Sequence, residues 1–222
     1  MIRLLDIILS LIILILFIPI GIIITIILLF TGEGEVFYKQ IRVGKNNKDF
    51  PLFKFATMIK NSPNIGAGDI TIKNDPRVLP FGKLLRKTKL NEFPQFINVL
   101  IGNMSIVGPR PLVRNQFNMI PNDLKKNIIC LKPGITGVGS IIFRDEETYL
   151  SKSDQTSKDF YEKEIVPYKA ALEKWYYLNQ SIIFYFIIIL FTGVLIVYPK
   201  YNIPINIFKN LPKHPIFNSI KN

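Results

Sequence analysis

The sequence predicts a mostly helical α/β fold, a small membrane-associated domain with an N-terminal re-entrant membrane helix and amphipathic interfacial helices. Three observations lead to this prediction. An uncharged run covers Ile7–Phe30 and is long enough to cross a bilayer. Short apolar runs separated by turn residues over residues 32–60 are typical of strands. An apolar stripe at helical spacing runs through Phe93, Phe96, Ile97 and Leu100.

The first apolar run is interrupted in its middle. Pro19 and Gly21 leave two arms of roughly a dozen residues, each about half a bilayer long. Positive charge precedes the run at Arg3 and follows it at Lys39, and positive flanks favour the cytoplasm. A helix that dips into the membrane at Pro19 and returns satisfies both facts. The alternative is a plain transmembrane helix with a tolerated proline. The run is too long for the apolar region of a cleaved signal peptide.

The chain is expected to contain four consecutive segments. Residues 1–31 form the re-entrant membrane helix-hairpin, and residues 32–180 form a cytoplasmic domain. Residues 181–199 form a C-terminal apolar helix associated with the membrane, and residues 200–222 form a poorly ordered tail. The second apolar run, Ser181–Tyr198, has aromatic residues at both ends like a membrane-interface belt. It is barely long enough to span, and the alternative is that it lies along the membrane.

Between the two apolar runs, the sequence predicts strands first and helices later. Gly44–Lys48 has the composition of a hairpin turn. Asp75–Arg77 is expected to form a turn, and Phe81–Leu90 an amphipathic helix with a basic face. Gln116–Cys130 has helical character, and Asp159–Lys174 is expected to form an exposed helix with mixed charges.

Composition excludes several kinds of site. The formal net charge is +12, which suits a protein that binds nucleic acid, anionic lipid or phosphorylated substrates. The basic residues flank a membrane segment, so we expect no nucleic-acid partner. Cys130 is the only cysteine, which excludes an intrachain disulfide and a cysteine-based zinc site. His214 is the only histidine, which excludes a histidine general base in the central region.

The stretch from Arg86 to Pro111 holds the first candidate site residues. Asn91 is a good N-cap type and Pro94 fits the first turn of a helix, so a helix is expected to start at Asn91. That start places the Glu92 carboxylate beside the free N–H groups of a helix N-terminus, where phosphate also binds. Arg86 adds positive charge to the same neighbourhood.

A second candidate lies in the turn Gly108-Pro109-Arg110-Pro111. Pro109 and Pro111 lock their own φ angles and push the preceding residues towards extended conformations. Arg110 therefore sits on a rigid backbone, from which a guanidinium can grip phosphate through two parallel N–H bonds. The alternative is an ordinary proline-rich turn with a solvated arginine. Lys54, between two phenylalanines, is a weaker candidate because such a lysine often only snorkels.

Several unusual strings recur in an order that resembles the bacterial sugar transferases, the monotopic polyprenol-phosphate phosphoglycosyl transferases. They are RLLD at residues 3–6, VFYKQIRVGKNNKDFPLFKFATM at 36–58, NDPRVLPFGKLLRKTKLNEFPQFINVLIGNMSIVGPRP at 74–111 and LKPGITG at 131–137. The resemblance implies that residues 32–180 are a catalytic domain on the cytoplasmic face of the bacterial inner membrane. It also implies transfer of a phosphosugar from a nucleotide diphosphate sugar to polyprenol phosphate, with Mg²⁺ and a covalent phosphosugar on an aspartate. Such a reaction initiates a surface polysaccharide or glycoconjugate.

The sequence departs from this family at the aspartate. The family pattern is Leu-Asp-Glu, and the chain has Leu90-Asn91-Glu92. A carboxamide is not a useful nucleophile towards phosphorus, so three interpretations stay open. Glu92 takes over as nucleophile or metal ligand, the phosphosugar passes directly to the lipid, or the protein is a catalytically silent membrane scaffold. The retained Glu92, Arg86 and Arg110 favour an enzyme.

The expected site follows from the motif and the resemblance together. Glu92 and Asn91 are the expected catalytic residues, with Mg²⁺ on Glu92. The expected substrate-binding residues are Arg86, Lys54, Pro109, Arg110 and Pro111. The expected partners are a nucleotide diphosphate sugar, polyprenol phosphate and membrane lipids.

Overall fold

A computed structural model describes residues 1–65, 75–144, 160–198, 201 and 207–213. The chain divides into two compact units, which are described one after the other. The first unit comprises Met1–Arg42 and Asp49–Ile106, and the second comprises Val43–Lys48 and Val107–Asn222. Helices are the main element of the described residues and the sheets have two strands each, as the sequence predicts.

The first unit contains a long apolar helix, a hairpin and two short helices. Its elements are α1 (Ile2–Phe30), β1 (Phe37–Val43), β2 (Asp49–Phe55), α2 (Pro80–Lys87) and α3 (Gln95–Ile101). Strands β1 and β2 pair with each other, which confirms the predicted hairpin around Gly44–Lys48. In α2, Gly82 and Leu85 are buried while the lysines are exposed, so this helix is amphipathic as expected.

Helix α1 buries one stripe of side chains and leaves the rest of its surface exposed. The buried members are four or seven residues apart, which is one face of an α-helix, and they are Asp6, Ser10, Phe17, Ile24 and Leu28. The exposed face is aliphatic along the whole helix. Among the described residues, α1 is the only helix long and apolar enough to cross a membrane. Its 29 residues span about 44 Å at 1.5 Å per residue.

The segment expected to form a helix-hairpin, residues 1–31, consists almost entirely of one helix. Residues 2–30 form one helix that contains Pro19, without a turn between two arms. A proline removes one intrahelical hydrogen bond, and the bonds on either side of it keep the helix continuous. The re-entrant course of this helix through a membrane stays a prediction.

Polar contacts hold the beginning of α1 against the first unit. The Arg3 guanidinium donates to the carbonyl oxygens of Val99 at 2.5 Å and Leu100 at 2.8 Å, near the C-terminal end of α3. A cation there complements the free carbonyl groups of a helix end. The buried Asp6 carboxylate accepts hydrogen bonds from the Ser105 hydroxyl at 3.0 Å and the Ile106 N–H at 2.9 Å.

Apolar contacts hold the rest of α1. Phe17, Ile24 and Leu28 form a buried cluster with Phe55 of β2 and Leu85 of α2. Because Arg3 and Leu28 lie near opposite ends of the helix, the same unit contacts α1 along nearly its full length.

The buried carboxamide of Asn98 joins α3 to β2. Its Nδ2 donates to the Pro51 carbonyl oxygen at 2.7 Å, and its Oδ1 accepts from the Phe53 N–H at 2.9 Å. Both polar atoms of a fully buried side chain are therefore satisfied by backbone groups of the strand, which fixes the position of the helix on the hairpin.

The second unit is built around one central helix. Its elements are α4 (Arg114–Asn118), α5 (Asn122–Ile128), β4 (Gly134–Thr136), α6 (Val138–Ile142), α7 (Val166–Leu178) and α8 (Ile182–Val197). A π-helical turn, Tyr161–Ile165, leads into α7. Strand β3 (Ser105–Val107) ends in this unit and pairs with β4.

The expectation of an exposed helix over Asp159–Lys174 is wrong for the described residues. Leu172, Trp175 and Tyr176 of α7 are buried, and α7 packs against α5 and α6. The charges of this stretch concealed an apolar face, because all its lysine and glutamate residues except Glu173 lie between the buried positions.

Part of the expected tail is also packed. Phe208 and Leu211 are buried, and the Phe208 ring lies edge-on to Trp175 at 5.9 Å between centroids. The Trp175 indole N–H donates to the Lys209 carbonyl oxygen at 3.0 Å, and the Tyr168 hydroxyl donates to Pro212 at 2.9 Å. Of residues 200–222, only residues 201 and 207–213 are described.

Helix α8 is too short to span a bilayer. Its 16 residues are about 24 Å long, whereas the hydrocarbon core is about 30 Å thick. One side packs in the second unit through Tyr185, Ile188 and Leu195, while Ile183 and Leu190 are exposed. An association of this helix with the membrane, predicted for residues 181–199, stays a prediction.

A buried carboxylate lies between α7 and α6. Burial raises the pKa of Glu173 to about 7, against the opposing effects of a hydrogen bond from the Gly139 backbone and the charge of Lys169. Among the described residues, the second carboxylate oxygen, Oε2, has no hydrogen-bond partner. The folded protein therefore favours the protonated acid.

We expect this group to make stability depend on pH. The unfolded chain releases this proton near pH 4.5 and the folded chain near pH 7. The contribution of this group to the free energy of unfolding is therefore complete below pH 4.5. It is lost as the pH rises to 7, which lowers the free energy of unfolding by about 3 kcal/mol. Urea unfolding of the detergent-solubilised protein at pH 5 and pH 7.5 measures this difference. The free energy of unfolding of Glu173→Gln should differ less between the two pH values than that of the wild type. Equal pH dependence in both proteins would contradict the assignment of the effect to Glu173.

Candidate active site

The two expected catalytic residues lie in a tight turn between α2 and α3. Leu90–Glu92 form a single 3₁₀ turn that follows Lys89, whose φ of 61° is left-handed. The prediction that a helix starts at Asn91 is wrong, because α3 starts at Gln95 with Pro94 as its N-cap. The Asn91 side chain does not cap a helix, and Glu92 lies three residues before α3 rather than in its first turn.

Asn91 is buried with an unsatisfied oxygen. Its side chain is 7% exposed, and its Oδ1 has no hydrogen-bond partner among the described residues. Leaving such a group unpaired costs about 1–3 kcal/mol. Unsatisfied buried polar atoms are rare in folded proteins and are more frequent where a function requires them. This oxygen is therefore the first structural indication of a site at Asn91.

The neighbouring side chain supplies a carboxylate. Glu92 is half-buried, next to Asn91 in the same turn. A carboxylate and a carboxamide oxygen are donors that Mg²⁺ accepts, and Mg²⁺ is usually bound by one or two carboxylates together with substrate phosphates. The described residues contain no group of three or more histidine, cysteine or acidic side chains suited to a metal. The residues present therefore fit a magnesium ion shared with a phosphorylated substrate, rather than an all-protein cage.

Arg86 lies at the end of α2, which packs against the Leu90–Glu92 turn. Its Nε donates to the Thr57 hydroxyl at 3.0 Å, and one terminal nitrogen is 3.5 Å from the Met58 sulfur. Gly82 permits this placement, because a Cβ there would lie 2.3 Å from the Thr57 carbonyl oxygen. Because Gly82 has no side chain, α2 approaches Thr57 closely enough for the Thr57 hydroxyl to orient the Arg86 guanidinium.

Sequence reasoning missed a buried ion pair in this unit. The Arg77 guanidinium binds Asp75 through two bonds, Nε to Oδ1 at 2.9 Å and a terminal nitrogen to Oδ2 at 2.6 Å. Arg77 also donates to the carbonyl oxygens of Ser62 and Ile65. The hydrogen bonds that Arg77 donates to the Asp75 carboxylate raise the pKa of Arg77. The Asp-Pro-Arg string predicted only a turn, but its two opposite charges, two residues apart, were the available signal.

The turn that contains Arg110 belongs to the second unit. Gly108 donates to the Thr136 carbonyl oxygen at 2.8 Å, and Gly134 donates to the Pro109 carbonyl oxygen at 2.8 Å. The backbones approach so closely that a Cβ on Gly134 would lie 2.1 Å from the Gly108 nitrogen. These contacts hold the turn against the LKPGITG string.

Arg110 itself is exposed between two buried prolines, Pro109 and Pro111. The predicted rigid base for this guanidinium is therefore present, and its binding of phosphate stays a prediction. Lys54 is half-buried on β2 in the first unit. The structure thus gathers Asn91, Glu92 and Arg86 in the first unit and places Pro109, Arg110 and Pro111 in the second.

Comparison with known proteins decides the family. The sequence profile described as "Bacterial sugar transferase" matches residues 1–198, which include every candidate site residue. The chain belongs to the bacterial sugar transferase family. This result confirms the resemblance drawn from the four sequence strings.

Several members of the bacterial sugar transferase family are similar to this chain. The UDP-glucose:undecaprenyl-phosphate glucose-1-phosphate transferase of Klebsiella pneumoniae is 39% identical over 156 residues, or 69% of this chain and 33% of that protein. The undecaprenyl-phosphate galactose phosphotransferase of Salmonella typhimurium is 36% identical over 130 residues, or 52% and 27%. The exopolysaccharide production protein ExoY of Rhizobium meliloti is 31% identical over 153 residues, or 63% and 67%.

The extent of these matches differs between relatives. The chain matches about a third of the Klebsiella protein, about a quarter of the Salmonella protein and two thirds of ExoY. The family profile covers residues 1–198, and the chain spans less than half the length of the longer relatives.

Proposed function

We propose that this protein is a phosphoglycosyl transferase that moves a phosphosugar from a nucleotide diphosphate sugar to polyprenol phosphate. The observation that carries this proposal is the family match, which spans both units and all candidate site residues. Relatives named for UDP-sugars and undecaprenyl phosphate support these substrate classes. The reaction would initiate a surface polysaccharide or glycoconjugate.

Phosphoryl transfer depends on charge neutralisation and alignment more than on covalent help from the protein. Glu92 would hold Mg²⁺ with the Asn91 oxygen beside it, and the bound ion would offset the charge of the diphosphate. Arg86, oriented by Thr57, would bind oxygens of the same phosphates. Lys54, also in the first unit, would add a weaker charge. In the second unit, the restrained Arg110 would bind phosphate through two parallel N–H bonds.

Asn91 favours direct transfer over a covalent intermediate. A carboxamide nitrogen or oxygen is a poor nucleophile towards phosphorus, and Asn91 stands where the family has its aspartate. In direct transfer, a phosphate oxygen of polyprenol phosphate attacks the sugar-bearing phosphorus. The new P–O bond forms as the bond to the bridging oxygen breaks, and nucleoside monophosphate leaves with that oxygen.

The contacts of α1 support a proposal for the membrane topology. The first unit binds α1 near its beginning through Arg3 and Asp6 and near its end through Leu28. A single folded unit cannot contact both ends of a helix that crosses a bilayer. We propose that both ends lie at the cytoplasmic face and that the exposed aliphatic side of α1 enters the membrane.

Cysteine labelling in intact cells tests this topology. In a Cys130→Ser background, Leu4→Cys and Lys39→Cys place single thiols at exposed positions before and after the apolar run. A membrane-impermeant maleimide should label neither position until the cells are permeabilised. Labelling of either position from outside would contradict the proposal.

A transfer assay with purified protein tests the function. We expect release of nucleoside monophosphate from one member of a panel of nucleotide sugars, dependent on polyprenol phosphate and Mg²⁺. Glu92→Gln should lower the rate about a hundredfold or more, because the only carboxylate of the turn is lost. Asp123→Asn, an exposed acid on α5, should retain the wild-type rate. No release with any donor would instead favour a silent membrane scaffold.

The same assay tests Arg110. Arg110→Lys should lower the rate by about tenfold or more, because an ammonium group cannot make two parallel bonds. Arg114→Lys on the neighbouring helix α4 is the matched control. Equal rates in the two variants would leave the turn with a structural role only.

Intact-protein mass spectrometry tests direct transfer. Wild-type protein mixed with nucleotide sugar alone should show no added mass, since Asn91 cannot form an acyl phosphate without losing its nitrogen. Asn91→Asp restores the family's nucleophile and should gain the mass of a phosphosugar. A phosphosugar mapped to Asn91 in the wild-type protein would overturn direct transfer.

A further inference from the structure

The first unit contains an apolar groove beside α1. Its volume is about 320 Å³, within the size range of small-ligand sites. One wall is the stretch of α1 from Leu14 to Ile26, and the other consists of Phe37, Phe55, Phe93 and Pro94. Thr25 carries the only polar side chain of the lining, so the groove suits a hydrocarbon.

A glycine opposite an aromatic cluster shapes the groove. The rings of Phe17 and Phe93 stack with centroids 3.9 Å apart, and Phe37 stacks on Phe55 at 5.5 Å. Gly21 lies one helical turn after Phe17 and has no side chain to fill the space. A Cβ at this position would be 3.5 Å from the Phe17 ring, which is ordinary contact. A larger side chain at position 21 would therefore occupy the groove without displacing backbone.

The groove opens on the exposed face of α1. Ile18, Ile22 and Ile26 line it and are each about half exposed. They continue the aliphatic surface that the proposed topology places in the membrane. An apolar chain can therefore pass sideways from the bilayer into the groove without crossing water.

Two residues of the groove lining come next in sequence after the candidate active-site residue Glu92. Phe93, whose ring forms part of the wall, directly follows Glu92, and Pro94 lines the groove next to it. A lipid chain in the groove would thus lie beside the residues proposed to act on a phosphate. This adjacency favours a lipid with a reacting phosphate over a bulk phospholipid.

We propose that this groove binds the phosphate-proximal isoprene units of the polyprenol phosphate acceptor. The inference rests on the proposed function and adds the location and chemistry of its lipid subsite. The groove orients the acceptor by its hydrocarbon, and the phosphate stays outside the apolar lining. Gly21 is the residue that keeps the space open.

Photolabelling tests the groove without requiring turnover. The probe is a polyprenyl phosphate with a diazirine in its first isoprene units, added to the full chain in phosphatidylcholine nanodiscs. We expect label on the α1 segment from Leu14 to Ile26 or on Phe93 and Pro94. Unlabelled polyprenyl phosphate should compete, and excess phosphatidylcholine should not.

Two variants of α1 make the test specific. Gly21→Phe fills the groove and should reduce labelling and raise the KM for polyprenol phosphate about tenfold, as when roughly two methylene groups lose their burial. Ile23→Phe places the same ring on an exposed residue outside the groove and should match the wild type. The KM for nucleotide sugar should stay unchanged in both. Gly21→Ala, with ordinary contact to Phe17, checks that substitution at this position preserves the fold.

The outcomes separate the groove from the proposed function. If the wild type transfers phosphosugar and Gly21→Phe has the same labelling and the same KM for polyprenol phosphate as the wild type, the groove proposal is overturned and the proposed function stands. Specific labelling that Gly21→Phe abolishes, in a protein without transfer, would support the groove and overturn the function. Equal competition by phosphatidylcholine would show a general lipid contact and would overturn the proposal.

Discussion

The structure of the first unit depends on how α1 is bound along its length. Contact with water is unfavourable for an apolar helix of 29 residues, so the helix is stabilised where its buried stripe packs against apolar side chains of the same unit. Phe17, Ile24 and Leu28 provide apolar burial, and Arg3 and Asp6 add hydrogen bonds near the beginning of the helix. Because both polar groups are paired, their burial does not carry the cost of unsatisfied atoms.

This attachment also positions the candidate active site. The Phe17 ring stacks on Phe93, the residue after Glu92, while Asn98 joins α3 to β2. The Leu90–Glu92 turn is therefore held on one side by α1 and on the other by a helix fixed to the hairpin. The proposed transfer to a lipid phosphate would benefit from this arrangement, since the helix proposed to enter the membrane and the turn of the candidate site share one aromatic contact.

The second unit uses a different means to fix its candidate residue. Close backbone contact between Gly108 and Gly134 holds the turn, and the flanking prolines restrict it further, so Arg110 projects from a rigid backbone. Asn91 presents the opposite case in the first unit, a buried oxygen with no protein partner described. Each feature belongs to its own unit, a restrained guanidinium in the second and, in the first, a buried oxygen without a partner among the described residues.

The sequence by itself determined the family, the long apolar helix, the hairpin and the candidate residues, because these depend on local patterns and on unusual strings. It failed at Asn91, where N-cap preference predicted a helix start and the chain instead forms a 3₁₀ turn before Pro94. Only the tertiary structure decided the bidentate pairing of Asp75 with Arg77, the burial of Glu173 and the groove at Gly21. Each of these depends on which distant segments meet, and local propensity carries no information about such contacts.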